Sequence, residues 1–397
     1  QLLQEYFAAR RLAAIPKPEL AHQEWRREQV EPRYEEVIKG KKGWEPVPPL
    51  RQTGWEETVV TAAPMANDPA KFIRNLIPHH LPLAARCATS AELVKVDEPQ
   101  QEALRRELRD QLLRRMRDPE ADLRARLAAG EALGEIGHPE FERHSGKFGD
   151  FLLPPFESVP AGTYPFGEAN QPVELGGFEM GRYPVTNAEF ACFIEAGGYR
   201  DLQWWDTDAA RDWLNRTNTQ GPEYWNNNRF NNPAQPAVGV TWHEARAYCN
   251  WLTASLTSLR RAEWIVRLPT EPEFEAAARG REGLLYPYGN EYDPRRCNTI
   301  DNGIGRPSPV GLFENRSPFG IYDLAGNVWE WCLNERKEPL VEPARINLGD
   351  TAGRPLRGGS WFYGLDDARA VFRLDLRPYL RYDFVGFRVV SVVRPPS

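Results

Sequence analysis

The spacing of apolar residues changes near residue 146, and the two sides of this change predict different kinds of structure. On the amino-terminal side, apolar residues recur at helical intervals in LLQEYFAARRLAA, residues 2–14. The stretch DPEADLRARLAAGEALGEIGHPEF is also typical of a helix, which Asp118-Pro119 begins and Gly137 ends. After residue 146, Gly, Pro, Asn and Trp become frequent and apolar runs shorten, as in short strands joined by long loops. We therefore predict a helical domain over residues 1–145 and an α+β domain over residues 146–397.

Three helices are predicted within the second domain. TNAEFACFIEAGG, residues 186–198, begins with a Thr/Asn cap and stops at paired glycines. TWHEARAYCNWLTASL, residues 241–256, and TEPEFEAAARG, residues 270–280, each place a glutamate three residues after an opening threonine. That spacing is typical of a capping box, in which the two residues satisfy backbone groups at the start of a helix.

Composition and charge narrow the classes of partner. The net charge of −6 and pI of about 5.7 disfavour binding to nucleic acid or to an anionic membrane, and no run of 18 apolar residues is present. Five cysteines without C-x-x-C spacing indicate neither a zinc site nor a disulfide scaffold, so a reducing cytoplasm fits best. Arginine outnumbers lysine 42 to 8 beside 35 prolines, which fits either a thermophile or a GC-rich genome. A start without Met suggests a fragment of a longer protein.

Two short resemblances concern the helical domain. QEYFAARRLAA resembles the helical segment that follows the nucleotide-binding core of NACHT-type signalling ATPases, and residues 118–140 resemble one HEAT-type repeat. The resemblance implies a signalling ATPase upstream in the same longer chain. No GxxxxGK[ST] phosphate loop occurs in the sequence itself, so no nucleotide site is predicted. An ordinary amphipathic helical domain is the alternative.

The second domain carries a longer series of motifs, over about residues 150–390. They read VPAGTYPFG, GRYPVTNAEFACF, QPAVGVTWHEARAYCNWL, VRLPTEPEFEAAARG, YPYGNEY, SPVGLFENRSPFGIYDLAGNVWEWC and RGGSW…GFRVV. In this order they resemble the formylglycine-generating enzyme, or sulfatase-modifying factor, family. The resemblance implies an irregular α+β domain of the C-type lectin-like fold, with long, well-packed loops.

The resemblance does not extend to the family's oxidase chemistry, which uses two cysteines shortly after the GGS-aromatic motif. Tyr363 and Ala368 stand at the corresponding positions, and neither supplies a thiolate for copper(I). Other family members use histidines for iron-dependent sulfur oxidation, but the six histidines here form no three-ligand set at helical spacing. We therefore expect no copper and no enzyme activity. A copper- or iron-dependent oxidase of the parent family is the alternative.

Calcium is a separate expectation that the resemblance implies. Family members hold structural calcium around the loop that here reads DLAGNVWEW. The carried-over ligands are the side chains of Asp323 and Glu330 and the carbonyls of Gly326 and Val328, a hard-oxygen set suited to this ion. A hydrogen-bonded loop without metal is the alternative.

The segment RGGSWFYGLDDARAVFRLDLRPYLRYDFVGFRVV, residues 357–390, contains more large apolar side chains than a strand or helix period explains. It resembles the variable region of proteins that diversity-generating retroelements mutate at template adenines. Mutated Asn codons keep a pyrimidine at their third position and cannot encode Glu, Lys, Met, Gln or Trp, none of which occurs between Phe362 and Val385. Five arginines, with Pro378, Gly386 and Phe387, are predicted as a fixed frame. The four-residue arginine spacing is also typical of a helix with one charged face, the alternative. Residues 386–390 are predicted as a terminal strand.

The residues between the frame positions are predicted to form an exposed or half-exposed apolar patch rimmed by aspartates. Contiguous patches of this kind mark binding surfaces, and tyrosine offers a large rigid contact at small entropic cost. We therefore expect a variable protein whose unknown ligand is another protein. A scaffolding protein with an inert domain is a third possibility. The predicted ligand-binding residues are Phe362, Tyr363, Leu365, Asp366, Asp367, Phe372, Leu374, Asp375, Leu376, Tyr379, Leu380, Tyr382, Asp383 and Phe384.

Overall fold

The computed structural model describes residues 2–90, 96–259, 263–336, 346–349 and 352–393. The chain forms two compact units. The first contains residues 1–41 and 47–139, and the second contains residues 42–46 and 140–397. The sequence boundary near residue 146 therefore falls at the end of the first strand, Glu142–Gly146.

The first unit is helical. Its core includes four side chains on one face of the longest helix, Leu104, Leu108, Leu112 and Met116, which are all 0% exposed. In the described residues its α-helices are α1 Leu2–Ala14, α2 Tyr34–Lys39, α3 Glu56–Ala62, α4 Pro69–Leu76, α5 Leu81–Thr89, α6 Glu98–Arg117 and α7 Leu123–Ile136.

The predicted start of α7 is wrong by one turn. Asp118 follows α6 at its carboxyl end, and the amino-terminal cap of α7 is Asp122, whose carboxylate accepts a hydrogen bond from the Arg124 backbone N–H. Asp122 also pairs with the Arg124 guanidinium, and both side chains are buried. Two aspartates within five residues offer two possible caps. Contacts with distant residues hold the second one, because the Asp122 N–H donates to the Trp25 carbonyl at 2.9 Å and Arg124 donates to the Pro32 carbonyl at 2.7 Å. The end of α7 at Gly137, with φ of +92°, is as predicted.

The second unit combines four α-helices with twelve short strands in its described residues, and the α+β prediction is confirmed. The helices are α8 Asn187–Glu195, α9 Asp208–Thr217, α10 Trp242–Leu256 and α11 Glu271–Arg279. The strands are β1 Glu142–Gly146, β2 Gly149–Leu153, β3 Phe156–Val159, β4 Gly162–Phe166, β5 Gln171–Leu175, β6 Phe178–Gly181, β7 Trp264–Arg267, β8 Trp329–Trp331, β9 Arg354–Arg357, β10 Arg373–Leu376, β11 Val385–Gly386 and β12 Val390–Val393.

Two four-stranded sheets and two hairpins organise these strands. One sheet has the order β10-β9-β8-β11, the other has the order β3-β6-β12-β7, and β1-β2 and β4-β5 pair as hairpins. The terminal strand predicted over residues 386–390 is divided between the two sheets. Val385–Gly386 pairs with β8, whereas Val390–Val393 pairs with β6 and β7. The intervening Phe387–Val389 crosses between the sheets, where the Phe387 carbonyl accepts the Val185 backbone N–H at 2.9 Å.

The three predicted helices of this unit are confirmed, and each opens with the predicted side chain. Thr186, Thr241 and Thr270 are the amino-terminal caps, and each forms a reciprocal capping box with a glutamate three residues on. Helices α8 and α10 pack their aromatic side chains into a large core around Trp329 and Phe387, both 0% exposed, whereas Phe274 of α11 packs in a separate core cluster. Among the described helices, none has the length and apolar content that crossing a membrane requires.

Candidate functional site

Residues 357–390 form a loop-rich surface segment rather than a helix with a charged face. Its extended stretches are the end of β9, β10, β11 and the first residue of β12, and turns connect them. Pro378, which is buried in one of these turns, cannot donate a helical backbone hydrogen bond.

Two arginines of this segment pair with glutamates on different helices, which accounts for their regular spacing without a helix. Arg373 donates to Glu271 at 2.6 Å, and Arg381 donates to Glu244 at 3.0 and 2.5 Å. Both glutamates are 0% exposed and lie in the first turns of α11 and α10, where a helix favours negative charge. The arginines therefore tie the segment to two different helices of the scaffold.

Backbone hydrogen bonds hold the end of the segment as firmly as the ion pairs do. The Trp329 N–H of β8 donates to the Phe384 carbonyl at 2.8 Å, and the Gly239 N–H donates to the Tyr382 carbonyl at 3.0 Å. Gly239 has a φ of +70°, and a Cβ there would lie 2.6 Å from the Tyr224 ring. The scaffold therefore holds the main chain of this part of the segment through hydrogen bonds that do not involve the segment's side chains.

Side-chain exposure separates two buried aromatic residues of the segment from the rings between them, although the frame residue Arg377 is itself exposed. Trp361 and Phe387 are 2% and 0% exposed, whereas Phe362 and Tyr382 are 39% and 37% exposed. The fourteen predicted residues all keep exposed or partly exposed surface: Phe362, Tyr363, Leu365, Asp366, Asp367, Phe372, Leu374, Asp375, Leu376, Tyr379, Leu380, Tyr382, Asp383 and Phe384. Their binding role stays a prediction.

Four of these side chains meet in one group, which we call the ring cluster: Phe362, Tyr363, Tyr382 and Phe384. The Phe384 ring lies nearly parallel to Phe362 at 5.8 Å and to Tyr382 at 5.1 Å, each with an interplanar angle of 12°. The Tyr363 ring meets Phe384 edge-on at 5.5 Å. Such contacts are favourable beyond the burial of area alone, so the rings support one another while part of each remains exposed.

The ring cluster lies on a buried layer of apolar side chains. Phe230, Val238, Val328 and Trp361 form this layer, and Phe384 packs against it. The Trp361 indole N–H donates to a main-chain carbonyl, that of Asp383, at 3.3 Å, which further fixes the layer to the segment.

A loop outside the predicted segment extends the surface, and sequence reasoning missed it. Tyr224 packs against the same buried layer, and the Arg229 guanidinium lies 5.1 Å from the Trp361 ring centre. The Glu223 N–H donates to the Gly239 carbonyl at 3.0 Å, which places this loop beside Tyr382. Its sequence, TQGPEYWNNNRFNN, is rich in aromatic residues without a helix or strand period, and this was the available signal.

The aspartates around the ring cluster differ in their partners. Asp366 lies 4.0 Å from Arg369, and Asp375 pairs with Arg336 on the β10 side. Burial raises the pKa of Asp367 and of Asp383. Within the described residues, neither of these two carboxylates forms an ion pair, so their negative charge remains uncompensated by direct contact.

The other predicted binding residues do not all join the ring cluster. The ring centres of Phe372 and Trp329 lie 6.1 Å apart. Leu374 and Leu376, on the edge strand β10, also pack partly against the large core. Leu365 and Tyr379 are 46% and 44% exposed, while Leu380 is half-buried. The predicted patch therefore contains a ring cluster and a strand-borne group that is more firmly attached to the core.

The predicted calcium ligands are placed in one loop, but their contacts do not fit the ion. Both oxygens of Glu330 accept hydrogen bonds from Arg388, at 2.6 and 2.8 Å, and both side chains are 0% exposed. Asp323 accepts the Gly311 N–H at 2.8 Å. A calcium ion would need Glu330 oxygens that already serve a guanidinium. The Gly326 and Val328 carbonyls alone do not supply the carboxylates that calcium prefers, so calcium binding stays a prediction.

The thiols and histidines offer little to a redox site. All five cysteines are buried, and burial raises the pKa of Cys192 to about 11 and of Cys297 to about 12. The thiolate, not the neutral thiol, is the nucleophile and metal ligand, so a raised pKa makes a cysteine less reactive. Ala368, at one position of the family's copper cysteines, is also buried. Among the described residues, no three His, Cys, Asp or Glu side chains are arranged to hold a metal.

Comparison with known proteins places the second unit. Residues 149–393 match the sulfatase-modifying factor enzyme 1-like domain family. A hercynine oxygenase of Mycolicibacterium thermoresistibile is 33% identical over 242 residues, which cover 55% of this chain and 51% of that protein. The inactive C-alpha-formylglycine-generating enzyme 2 of Bos taurus is 32% identical over 260 residues, which cover 55% of this chain and 79% of that protein.

Among solved structures, Treponema denticola variable protein 1 is similar at 21% sequence identity and a TM-score of 0.46, over 65% of this chain and 100% of that one. The chain spans about half the length of the hercynine oxygenase and about four-fifths of the bovine protein. The names of these two relatives include both an enzyme and an inactive protein.

Proposed function

We propose a binding function for this chain, which belongs to the formylglycine-generating enzyme family of sulfatase-modifying factor enzyme 1-like domains. The exposed side chains of residues 362–384 bind another protein, with the ring cluster at the centre of the contact. One observation carries the proposal: the exposed rings stand on a main chain that Trp361 and two ion pairs between partly exposed arginines and buried glutamates hold in place. A rigid scaffold of this kind presents rings without a large entropic cost on binding.

The same arrangement supports a role as the variable protein of a diversity-generating retroelement. The most exposed side chains, such as Phe362 and Tyr382, can change with little loss of core contacts, whereas the buried Trp361 and Phe387 cannot. The segment from Phe362 to Val385 lacks the five residue types that mutated Asn codons cannot encode. Diversification then alters the ligand while the fold persists. We further propose that a signalling ATPase acts together with this domain, which the resemblance of QEYFAARRLAA to NACHT-type proteins supports.

An oxidase of the parent family is the second candidate, because the hercynine oxygenase relative favours it. Against it stand the replacement of both copper cysteines by Tyr363 and Ala368 and the burial of all five thiols. Purified protein incubated with copper(I) and a cysteine-containing sulfatase peptide should give no aldehyde by mass spectrometry. Formylglycine formed with multiple turnovers would overturn the binding proposal in favour of catalysis.

Peptide selection tests the binding proposal itself. A phage library of random dodecapeptides is selected on the wild-type chain and, in parallel, on the Phe362→Ala/Tyr382→Ala double variant. The matched control is the Leu3→Ala/Phe7→Ala variant, which removes two side chains that are 72% and 61% exposed in the first unit. Peptides enriched on the wild type and control but not on the ring variant support the proposal. Equal enrichment on all three proteins, or no enrichment, contradicts it.

A further inference from the structure

The ring cluster has an acidic corner that the scaffold completes. Gly239 hydrogen-bonds both the Glu223 N–H and the Tyr382 carbonyl, each at 3.0 Å, so the fixed loop and the variable segment meet at this glycine. The Tyr224 ring packs against Gly239, where a Cβ would lie 2.6 Å from the ring. We call Glu223, Tyr224, Tyr382 and Asp383 the acidic corner.

The acidic corner carries two carboxylates and no paired cation. Glu223 is exposed and Asp383 half-exposed, and neither forms an ion pair within the described residues. The positive charge of Arg229 acts favourably on Asp383 and lowers the pKa of that carboxyl against the effect of burial. The Arg229 guanidinium, however, donates to the carbonyls of Trp44 and Gly305 and lies over Trp361. Within the described residues, the carboxylate oxygens of Asp383 and Glu223 therefore accept no direct hydrogen bond from a cation and remain open to one from a ligand.

The rings of the acidic corner can also contact a positively charged group of a ligand. Phe384 covers one face of Tyr382, whose side chain remains 37% exposed. Burial raises the pKa of Tyr224 and so does the nearby charge of Glu223 and Asp383, which keeps the phenol neutral. A cation placed over a tyrosine face gains about 0.5–1 kcal/mol at an exposed site. Aromatic faces beside free carboxylates suit a planar guanidinium better than they suit an apolar or anionic group.

Building on the proposed binding function, we propose that the partner protein presents an arginine side chain to the acidic corner. The guanidinium stacks on Tyr382 and donates to Asp383 and Glu223, while apolar residues beside it contact the rest of the ring cluster. Glu223 and Tyr224 lie outside the predicted variable segment, so their part of this contact remains when Tyr382 or Asp383 is exchanged.

Two labelled peptides provide the probe. One is a glycine–arginine repeat, and the other replaces every arginine by citrulline, which keeps the shape and removes the charge. Fluorescence anisotropy at about 0.15 M salt compares their affinity for the full chain, because salt at this level screens long-range attraction. The arginine peptide should bind about fivefold tighter, the factor that about 1 kcal/mol gives. Equal affinities, or no binding of either up to about 1 mM, overturn the inference.

Variants separate this corner from the general negative charge of the protein. Glu223→Gln/Asp383→Asn should abolish the preference for arginine. The control Glu142→Gln/Asp208→Asn removes two exposed carboxylates elsewhere in the same unit, with side chains 73% and 96% exposed, and should leave the preference within about twofold. Loss of the preference in the control instead shows nonspecific attraction and overturns the inference.

Failure of this inference leaves a distinct signature. Library peptides that are neutral or acidic, and that lose binding in the Phe362→Ala/Tyr382→Ala variant, retain the proposed function and eliminate the arginine ligand. Library peptides unaffected by the ring variant eliminate the proposed function as well.

Discussion

Adjacent aromatic residues should differ sharply in their contribution to stability. Trp361 is 2% exposed, and its backbone N–H and indole N–H donate to the carbonyls of Asn327 and Asp383. Phe362, the next residue, is 39% exposed and contacts mainly other members of the ring cluster. Truncation of each to alanine therefore tests the distinction between scaffold and binding surface within one dipeptide.

The structure sets the size of this difference. A large aromatic side chain buries 150–250 Å² when enclosed, and about three-fifths of Phe362 is covered, which corresponds to about 120 Å² and at most about 3 kcal/mol at 25 cal/mol per Å². Water and the neighbouring rings fill an open site, so no cavity remains and we expect a loss of about 1 kcal/mol. Trp361→Ala leaves an enclosed cavity and should cost about 3–5 kcal/mol.

Guanidinium unfolding followed by far-UV circular dichroism measures both losses without depending on the removed tryptophan. Because the chain has two units, the transition of the second unit must be identified first, by comparison with Phe387→Ala, a residue that is 0% exposed in that unit. If Trp361→Ala does not fold, Trp361→Phe replaces it. A loss in Phe362→Ala within about 1 kcal/mol of the loss at the buried positions would refute the reasoning, because Phe362 would then belong to the core.

Three further predictions concern charged groups. Arg381→Ala leaves Glu244 buried without its cation and should cost about 3 kcal/mol of unfolding free energy, whereas exposed Arg377→Ala should stay within about 0.5 kcal/mol; similar losses contradict the anchoring role. Burial raises the pKa of Glu189 to about 7. As pH rises from about 4 to 7, the unfolded chain therefore releases this proton before the folded chain does. The free energy of unfolding of the wild type should fall by about 3 kcal/mol relative to that of Glu189→Gln over this range. A constant difference between the two across that range contradicts this burial effect. Because the Glu330 oxygens serve a guanidinium, excess chelator should leave the melting temperature unchanged, and a fall would show that calcium is bound.

The sequence predicted local features well because adjacent residues determine them. Thr241 and Glu244 form their capping box within a single turn, and Gly137 ends α7 through its own backbone angle. Exposure of Phe362 and Tyr382 also followed from their position between frame residues. These predictions needed no knowledge of distant contacts.

Features that depend on distant residues could not be predicted. Glu330 and Arg388 are 58 residues apart in sequence, so the pairing that engages both oxygens of this predicted calcium ligand has no local signal. The division of the terminal strand likewise depends on two sheets that residues 385–393 join. Tyr224 packs against the buried layer beneath the ring cluster from a loop outside the segment, and its close approach to Gly239 likewise has no local signal.

Sequencing of the gene in many descendants of a single cell tests the central claim most directly. The account predicts substitutions concentrated in the codons of exposed residues such as Phe362, Tyr379 and Tyr382. They should fall at the positions where a near-copy of the 362–385 coding segment, itself unchanged elsewhere in the genome, carries adenine. It also predicts unchanged codons for Trp361 and Phe387, whose side chains are buried. Substitutions spread evenly over buried and exposed positions, or the absence of any near-copy together with an invariant segment, would contradict a diversified binding surface.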